Sequence, residues 1–443
     1  MAEVNIQKSE FFNLFKIKKF MIFSISQAFS LFGDKLDYMA ILAMISFLAQ
    51  KKNLNTSRAI SFLSVVVTLP TILFGPFAGI FIDRWDKRKI LIFCDLFRAI
   101  LVAFIPFLVL RLFNLSLVYI ICFFVFLLGL FFNATRLSIV PYLVAKRRLL
   151  AANSFNNLLG RIATLLGMLV GGFIVDWQIW KKIGISYSWA AGFYIDSFTY
   201  WISVLALIYL STKIKIKRIS SPTVISQQSR NFFSLILSKL KLMINDLKEA
   251  SQYILKNRKV QIVILSVFLF VILGTGALVL YVPIIQESEG LKLGTSGVGF
   301  LGTIGSIGLI LSSLTYGIWG HKFEKNLVLI ITFFLFGILT IILSLTKILP
   351  LVIFLLFMCG FFLSPIFVIQ DTILQENVPE ELRGKIFSLK EWFLHLFFGI
   401  FAFIIGQLTY FFPRTTILFS IGVFVMFSSL IIFLIYRRQK ELI

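Results

Sequence analysis

The chain has 443 residues, 59% of them hydrophobic and only 14% charged, with a mean hydropathy of +0.95. Soluble domains run nearer ~45–50% apolar and ~25% charged, so composition excludes an ordinary soluble fold. The formal net charge of +23 would suggest nucleic acid in a soluble chain. Here the basic residues sit in short connections beside apolar runs, where they orient membrane helices, and no nucleic-acid partner is expected.

Apolar segments long enough to cross a bilayer as helices recur from end to end. The first 20 residues carry Glu3 and Glu10, and the apolar run after them is too long for a signal peptide and lacks a clear cleavage region, so they read as a retained cytoplasmic tail. Twelve spans are predicted near 20–49, 59–82, 89–111, 115–136, 154–178, 190–210, 260–285, 295–319, 327–346, 348–371, 386–411 and 415–436. This is an all-α integral membrane protein. It divides into a six-helix bundle over 1–210, a linker over 211–259 and a second six-helix bundle over 260–443. The linker opens on a Ser-, Thr- and Lys-rich stretch and ends in an amphipathic helix on the membrane surface. Most of the 43 Lys and Arg fall on one side of this topology, which puts both termini in the cytoplasm.

The first span carries "SQAFSLFGDKLDYMAILAM", with Asp34 about halfway along. Asp37 and Tyr38 lie one turn beyond it, and Gln27 lies two turns before it on the same face. Ionisable groups at that depth cost several kcal/mol, about 2.5–3.5 on insertion scales, and mark a partner, a cavity or a pathway. Two carboxylates so close raise one another's proton affinity, which suits a site that takes a proton from one side and releases it to the other. The competing expectation is that Asp34 is held by Lys35, Arg98 or Arg161 and fastens helices together.

Between spans two and three lies "GIFIDRWDKRK", Gly79 to Lys89, a charged turn between two apolar runs. Its cations Lys87, Arg88 and Lys89 suit an anionic leaflet. In span three Arg98 follows Asp95 by one turn, so local neutralisation competes with substrate contact. Arg161 enters span five ahead of Gly167, Gly171 and Gly172, which permit close helix approach. Asp196, near the outer end of span six, reads as a solvated structural group. Glu391 and His395, one turn apart in span eleven, are expected to form a polar pair facing a cavity. Glycines 294, 297, 299, 302, 305 and 308 give span eight a smooth face, with no Gly-Lys-Ser to suggest a phosphate loop or an ATPase. Two histidines and three unpaired cysteines give no metal, redox or hydrolytic constellation, so neither a cofactor nor enzyme chemistry is expected.

The "GIFIDRWDKRK" turn resembles the loop signature of the major facilitator superfamily at Gly79, Asp83, Arg84, Lys87 and Arg88, and departs from it at Asp86, where the family has glycine. "GIWGHKFEKN", Gly317 to Asn326, resembles a degenerate second copy, with His321 in place of the aspartate. Val140 to Gly172, Phe193 to Leu207, Leu247 to Val260 and "DTILQENVPEELRGKIFSL", Asp371 to Leu389, are similar to the macrolide-efflux and enterobactin-exporter permeases of that superfamily. "FGDKLDYMAILAM" is also similar to first helices of bacterial lysophospholipid transporters.

The resemblance implies two bundles rocking about a central cavity in a bacterial inner membrane. Gly79, Asp83, Arg84, Lys87 and Arg88 would serve as a conformational switch. The expected activity is proton-coupled export of an amphipathic or hydrophobic small molecule, by a monomer with protons and membrane lipids as its other partners. The alternative is a lysophospholipid or phospholipid transporter of the same fold.

Overall fold

The computed structural model describes residues 14–145, 148–185, 187–213, 245, 248–287 and 290–440. Twelve long helices dominate them: α1 (Lys18–Lys51), α2 (Thr56–Arg84), α3 (Lys87–Leu112), α4 (Leu115–Ile139), α5 (Leu149–Asp176) and α6 (Ser188–Lys213) in the first half. The second half holds α7 (258–286), α8 (Gly294–Trp319), α9 (Lys325–Leu345), α10 (Leu349–Asn377), α11 (Glu380–Leu408) and α12 (Arg414–Lys440). Eleven of the twelve are long and apolar enough to cross a membrane. The exception is α1, which is long but carries Asp34, Lys35 and Asp37 at its middle.

Local chemistry sets where these helices begin and bend. Asn114 caps α4 by accepting from Ser116 N–H at 2.9 Å, and Asn257 caps α7 by accepting from the N–H groups of Lys259 and Val260. Pro106 lies inside α3 and Pro365 inside α10, each removing a backbone donor. In α7 a wider turn over Ala277–Tyr281 precedes Pro283, so the ladder is interrupted twice within a few residues.

The packing is a parallel repeat. In the first half α1 lies against α5 and α6, α3 against α4 and α6, and α2 against α4. In the second, α7 lies against α11 and α12, α9 against α10 and α12, and α8 against α10. Each pairing recurs six helices later. Two seams join the halves, α2 with α11 and α5 with α8, and they too exchange under that relation. Large apolar side chains such as Phe104, Phe107, Phe198 and Phe427 remain exposed on the perimeter, as a lipid-facing surface requires.

Among the described residues, three hydrogen bonds join the halves at the end opposite the linker, and Trp392 donates to the Ile72 carbonyl at 3.4 Å nearer the middle. Ser46 donates to Gln286 at 2.7 Å, Asn55 donates to the Thr409 carbonyl at 3.2 Å, and Asp176 accepts from Ser296 N–H at 2.6 Å. That last bond seats the carboxylate ending α5 on the first turn of α8, where the helix dipole favours it. Gly294 adopts φ +63°, and a Cβ there would collide with Asp176. Further along the same seam, Gly172 meets the backbone of Thr295 and Gly299.

The glycines of α8 therefore serve two neighbours rather than one face. Gly299 admits α5 at Met168, whereas Gly305 and Gly308 admit α10 at Leu356 and Phe357. Gly167 and Gly171 of α5 receive α1 at Phe32 and Leu36.

Of the linker, 214–244, 246 and 247 lie outside the described residues, and with them most of the expected amphipathic helix. Its last part, 248–256, is helical. It buries Ala250 and Ile254 and is tied to α11 by Glu249 and Lys385 at 2.6 Å.

Candidate functional site

The centre of the first half holds a buried cluster of charge. Arg98 of α3, 4% exposed, forms an ion pair with Asp34 of α1 and a longer contact at 3.4 Å with Asp95, one turn back on its own helix. Tyr200 of α6 donates to Asp34 Oδ1 at 2.6 Å, and the Arg98 guanidinium lies 4.2 Å from the centre of the Tyr200 ring. Three helices thus converge on one carboxylate.

Two more carboxylates lie within reach. Asp196 of α6 is fully buried, and its Oδ1 accepts from Thr199 Oγ1 at 3.2 Å. Gly33 makes that position possible, because a Cβ there would overlap both Thr199 Oγ1 and Asp196 Oδ1. Asp37, 3% exposed, is within Coulombic range of Asp34 and Arg98, and its Oδ1 has no hydrogen-bond partner among the described residues. Asp95 Oδ2 and Asp196 Oδ2 are likewise unpaired. Four carboxyl groups therefore gather around one guanidinium, and Asp37, Asp95, Asp196 and Arg98 are almost wholly buried while Asp34 is partly exposed.

Sequence reasoning found Asp34, Asp37 and Arg98, and the structure brings them together. The expected fastening of Asp34 is made by Arg98, not by Lys35 or Arg161. Tyr38 is half-buried, with the Lys35 ammonium 6.0 Å from its ring centre. Asp196 is the main correction. It is expected to be solvated, yet α6 turns it inward against Gly33. Tyr200, one turn further along the same face, was missed; the spacing Asp196–Tyr200 on an inward face was the available signal.

Toward the linker end, Gln27 is 4% exposed and lines a cavity with Arg136 of α4. Arg136 was also missed, although a cation inside a span is the same signal that singled out Arg98. Arg161 is exposed and lines an adjoining cavity between α5 and α8. Glu391 is exposed on α11, 3.7 Å from Lys390, and His395 is half-buried one turn on. Neither belongs to the central cluster. Lys390, beside Glu391, is 5% exposed and paired with Asp371 at 2.6 Å.

In the charged turn, Gly79, Asp83 and Arg84 fall within α2, and their side chains lie outside the described residues. Asp86, which departs from the loop signature, caps α3 by accepting from Arg88 N–H at 3.0 Å. Its carboxylate pairs with the Arg88 guanidinium at 2.7 Å, and that guanidinium also donates to the Ser211 carbonyl at the end of α6. Hydrogen bonding from Arg88 holds the Asp86 carboxyl below the usual carboxylate range. Lys87 lies 5.3 Å from the Tyr142 ring centre. Among the described residues no group of His, Cys, Asp and Glu is arranged to hold a metal ion, and Cys94, Cys122 and Cys359 are buried free thiols.

Two repeated six-helix bundles with a buried ionisable centre define a polytopic membrane transporter. The sequence model of the Major Facilitator Superfamily matches residues 24–312 and 288–442, and the chain belongs to that superfamily.

Relatives include macrolide efflux protein A of Streptococcus pyogenes, 23% identical over 399 residues, covering 86% of each chain. The MFS-type transporter YkuC of Bacillus subtilis is 26% identical over 339 residues, covering 74% of this chain and 72% of its own. The lysophospholipid transporter LplT of Photorhabdus laumondii is 28% identical over 160 residues, 35% of this chain and 36% of its own. Among solved structures, a bacterial homologue of the human lysosomal transporter Spinster, inward-facing and unoccupied, superposes with TM-score 0.68 at 14% identity over 93% of each chain. An inward-facing bacterial homologue of the iron transporter ferroportin gives 0.70 at 12% identity over 94% of this chain and 98% of its own. These structures establish the fold.

Proposed function

We propose that the chain is a proton-coupled exporter of an amphipathic or hydrophobic small molecule, working by alternating access from a bacterial inner membrane with both termini in the cytoplasm. The observation that carries the reading is the excess of carboxyl groups over cations around Arg98. With all four ionised, the site would bury several uncompensated negative charges, which a low-dielectric interior does not tolerate. Protons are the simplest countercharge.

In this mechanism a proton arriving at Asp34 neutralises the carboxylate that holds Arg98. The guanidinium then turns to Asp95, and the tie among α1, α3 and α6 loosens. Loss of the proton restores it. Each charge moved across the membrane is worth about 2.3 kcal/mol per 100 mV, enough to support a moderate gradient of neutral cargo. The closure at the end opposite the linker supports an inward-open resting form, with the turn at Lys87 and Arg88 acting when the halves rock. The relationship to macrolide efflux protein A over most of both chains supports export. A lysophospholipid or phospholipid transporter of the same fold is the second reading, favoured by the basic, amide-lined cavity at Arg136.

The test is uptake into proteoliposomes under an imposed pH gradient, comparing an amphipathic cationic drug with a labelled lysophospholipid. Asp34→Asn is expected to abolish gradient-driven movement while leaving folded protein in the membrane. Undiminished gradient-driven transport in that variant removes Asp34 from the mechanism.

A further inference from the structure

Two adjoining cavities of about 320 and 340 Å³ lie at the linker end of the first half, a size suited to small ligands. They share Leu31, Arg136, Asn156, Asn157 and Gly160, so they form one continuous space between α1, α4, α5 and α8. The deeper part carries a set of polar groups among apolar Phe23, Val140 and Leu159. Ser24, Gln27, Arg136, Asn153, Asn156 and Asn157 line it, and among the described residues no acidic one does. Gln27 is 4% exposed and lines this space, yet neither atom of its amide has a hydrogen-bond partner among the described residues. Ser24, 1% exposed, is likewise unpaired.

Arg136 makes no ion pair or hydrogen bond with another described side chain. Asp34 and Asp95 lie within its Coulombic range without bonding to it. Buried amides and hydroxyls seldom stay unpaired without reason. The outer part is mixed, with Arg161 and Thr164 beside apolar Leu165, Leu309 and Ile310, and it opens along the seam between the halves.

We infer that this space is a binding site for the head of an anionic amphiphile, a carboxylate or phosphate attached to an apolar tail. The oxyanion is received by Arg136, which can offer two parallel donors, and by the amide N–H groups of Gln27 and the three asparagines. The tail leaves along Leu165, Leu309 and Ile310 toward lipid. A cationic cargo finds no carboxylate on these walls. The inference deepens the transporter reading and rests on it only for the movement of the cargo, not for its binding.

Purified full chain in nanodiscs of zwitterionic lipid is titrated with four probes, read by intrinsic tryptophan fluorescence. Lauroyl lysophosphatidylglycerol, laurate and monolaurin share a tail and differ in the head; glycerol 3-phosphate has the head alone. The tailed anions are expected to bind at least ~10-fold tighter than monolaurin, and Arg136→Gln to erase that preference. Arg136→Lys is expected to keep part of it, and its retention together with a monodisperse elution profile guards against misfolding. Gln27→Leu is expected to weaken the tailed anions ~3-fold or more without affecting monolaurin.

Tighter binding of the lysolipid than laurate identifies a membrane lipid as the source, and the reverse identifies a free fatty acid; either supports the site. Equal binding of monolaurin, an anion preference untouched by Arg136→Gln, or glycerol 3-phosphate binding as tightly as the tailed anions overturns it. No anion preference in the unmutated chain, with Asp34-dependent transport of a neutral amphiphile intact, defeats this inference alone. An Arg136-dependent anion preference alongside undiminished gradient-driven transport in Asp34→Asn defeats the proton-coupling reading alone.

Discussion

The two halves share one packing scheme but not one interior. In the first half, α1, α3 and α6 place Asp34, Asp37, Asp95, Arg98 and Asp196 around a common centre. In the second, α7 has no charged residue from Val260 to Gln286, α8 has none from Gly294 to Trp319, and α9 has none after Lys325. Its buried polar contacts are neutral or peripheral: Gln370 donates to Ser266 at 2.9 Å, and the Lys390–Asp371 pair joins α11 to α10. A repeat fixes which helices touch, because small residues and apolar surfaces suffice for that. It leaves the chemistry of the interior free to differ. The first half buries its charge at the centre, whereas α7, α8 and α9 of the second keep theirs to the helix ends.

The largest way to break this comparison is to exchange the central groups. Arg98→Met leaves four carboxyl groups without their cation and is expected to lower stability by about 3–5 kcal/mol. Gln370→Leu, in the apolar half, removes one neutral hydrogen bond and is expected to cost about 1 kcal/mol. Thermal unfolding in detergent compares the two, and equal losses would mean that the halves are not specialised as described.

A smaller effect sharpens the same point through the backbone. Gly33→Ala pushes a methyl group into Thr199 and Asp196 and is expected to cost about 1–3 kcal/mol. Gly384→Ala, where a Cβ meets nothing within 4 Å, serves as its control in the second half and is expected to cost nothing measurable in the same assay.

The smallest effect lies at the charged turn. Asp86→Gly restores the residue usual in the loop signature but removes the cap on α3 and the pairing with Arg88, at a cost of about 0.5–1 kcal/mol. The folded-state carboxyl is held below its unfolded value of ~3.9. Its contribution is therefore fully present above that value and fades as pH falls through the lower, folded one. The melting difference between wild type and Asp86→Gly should be flat near neutrality and shrink in acid. A difference that grew on acidification would reverse the assignment.

The spans were legible because hydrophobic length is a property of consecutive residues. The first span, expected over 20–49, is α1 at Lys18–Lys51, and the sixth, expected over 190–210, is α6 at Ser188–Lys213. The site was legible only where a charge announced itself inside an apolar run, as with Asp34, Asp37 and Arg98. Tyr200 carries no such announcement, since an aromatic in a membrane helix is ordinary until its hydroxyl is seen on Asp34. Asp196 shows the other limit. Depth along a helix was readable, but which way the side chain faced depended on Gly33, 163 positions earlier, leaving room for it. Asp86 was visible as a departure from the loop signature, and its role as a cap emerged only with the geometry of Arg88.

The seam where Asp176 sits on the first turn of α8 also restricts how the halves can move. Gly172 and Gly299 bring the two backbones together with no side chain between them, and the left-handed turn at Gly294 fits around the carboxylate. Sliding one helix lengthwise would grind peptide against peptide at every step. Peeling them apart, like pages from a spine, breaks the Asp176–Ser296 hydrogen bond and draws the glycine faces away from each other without a clash, so this seam tolerates tilting better than translation.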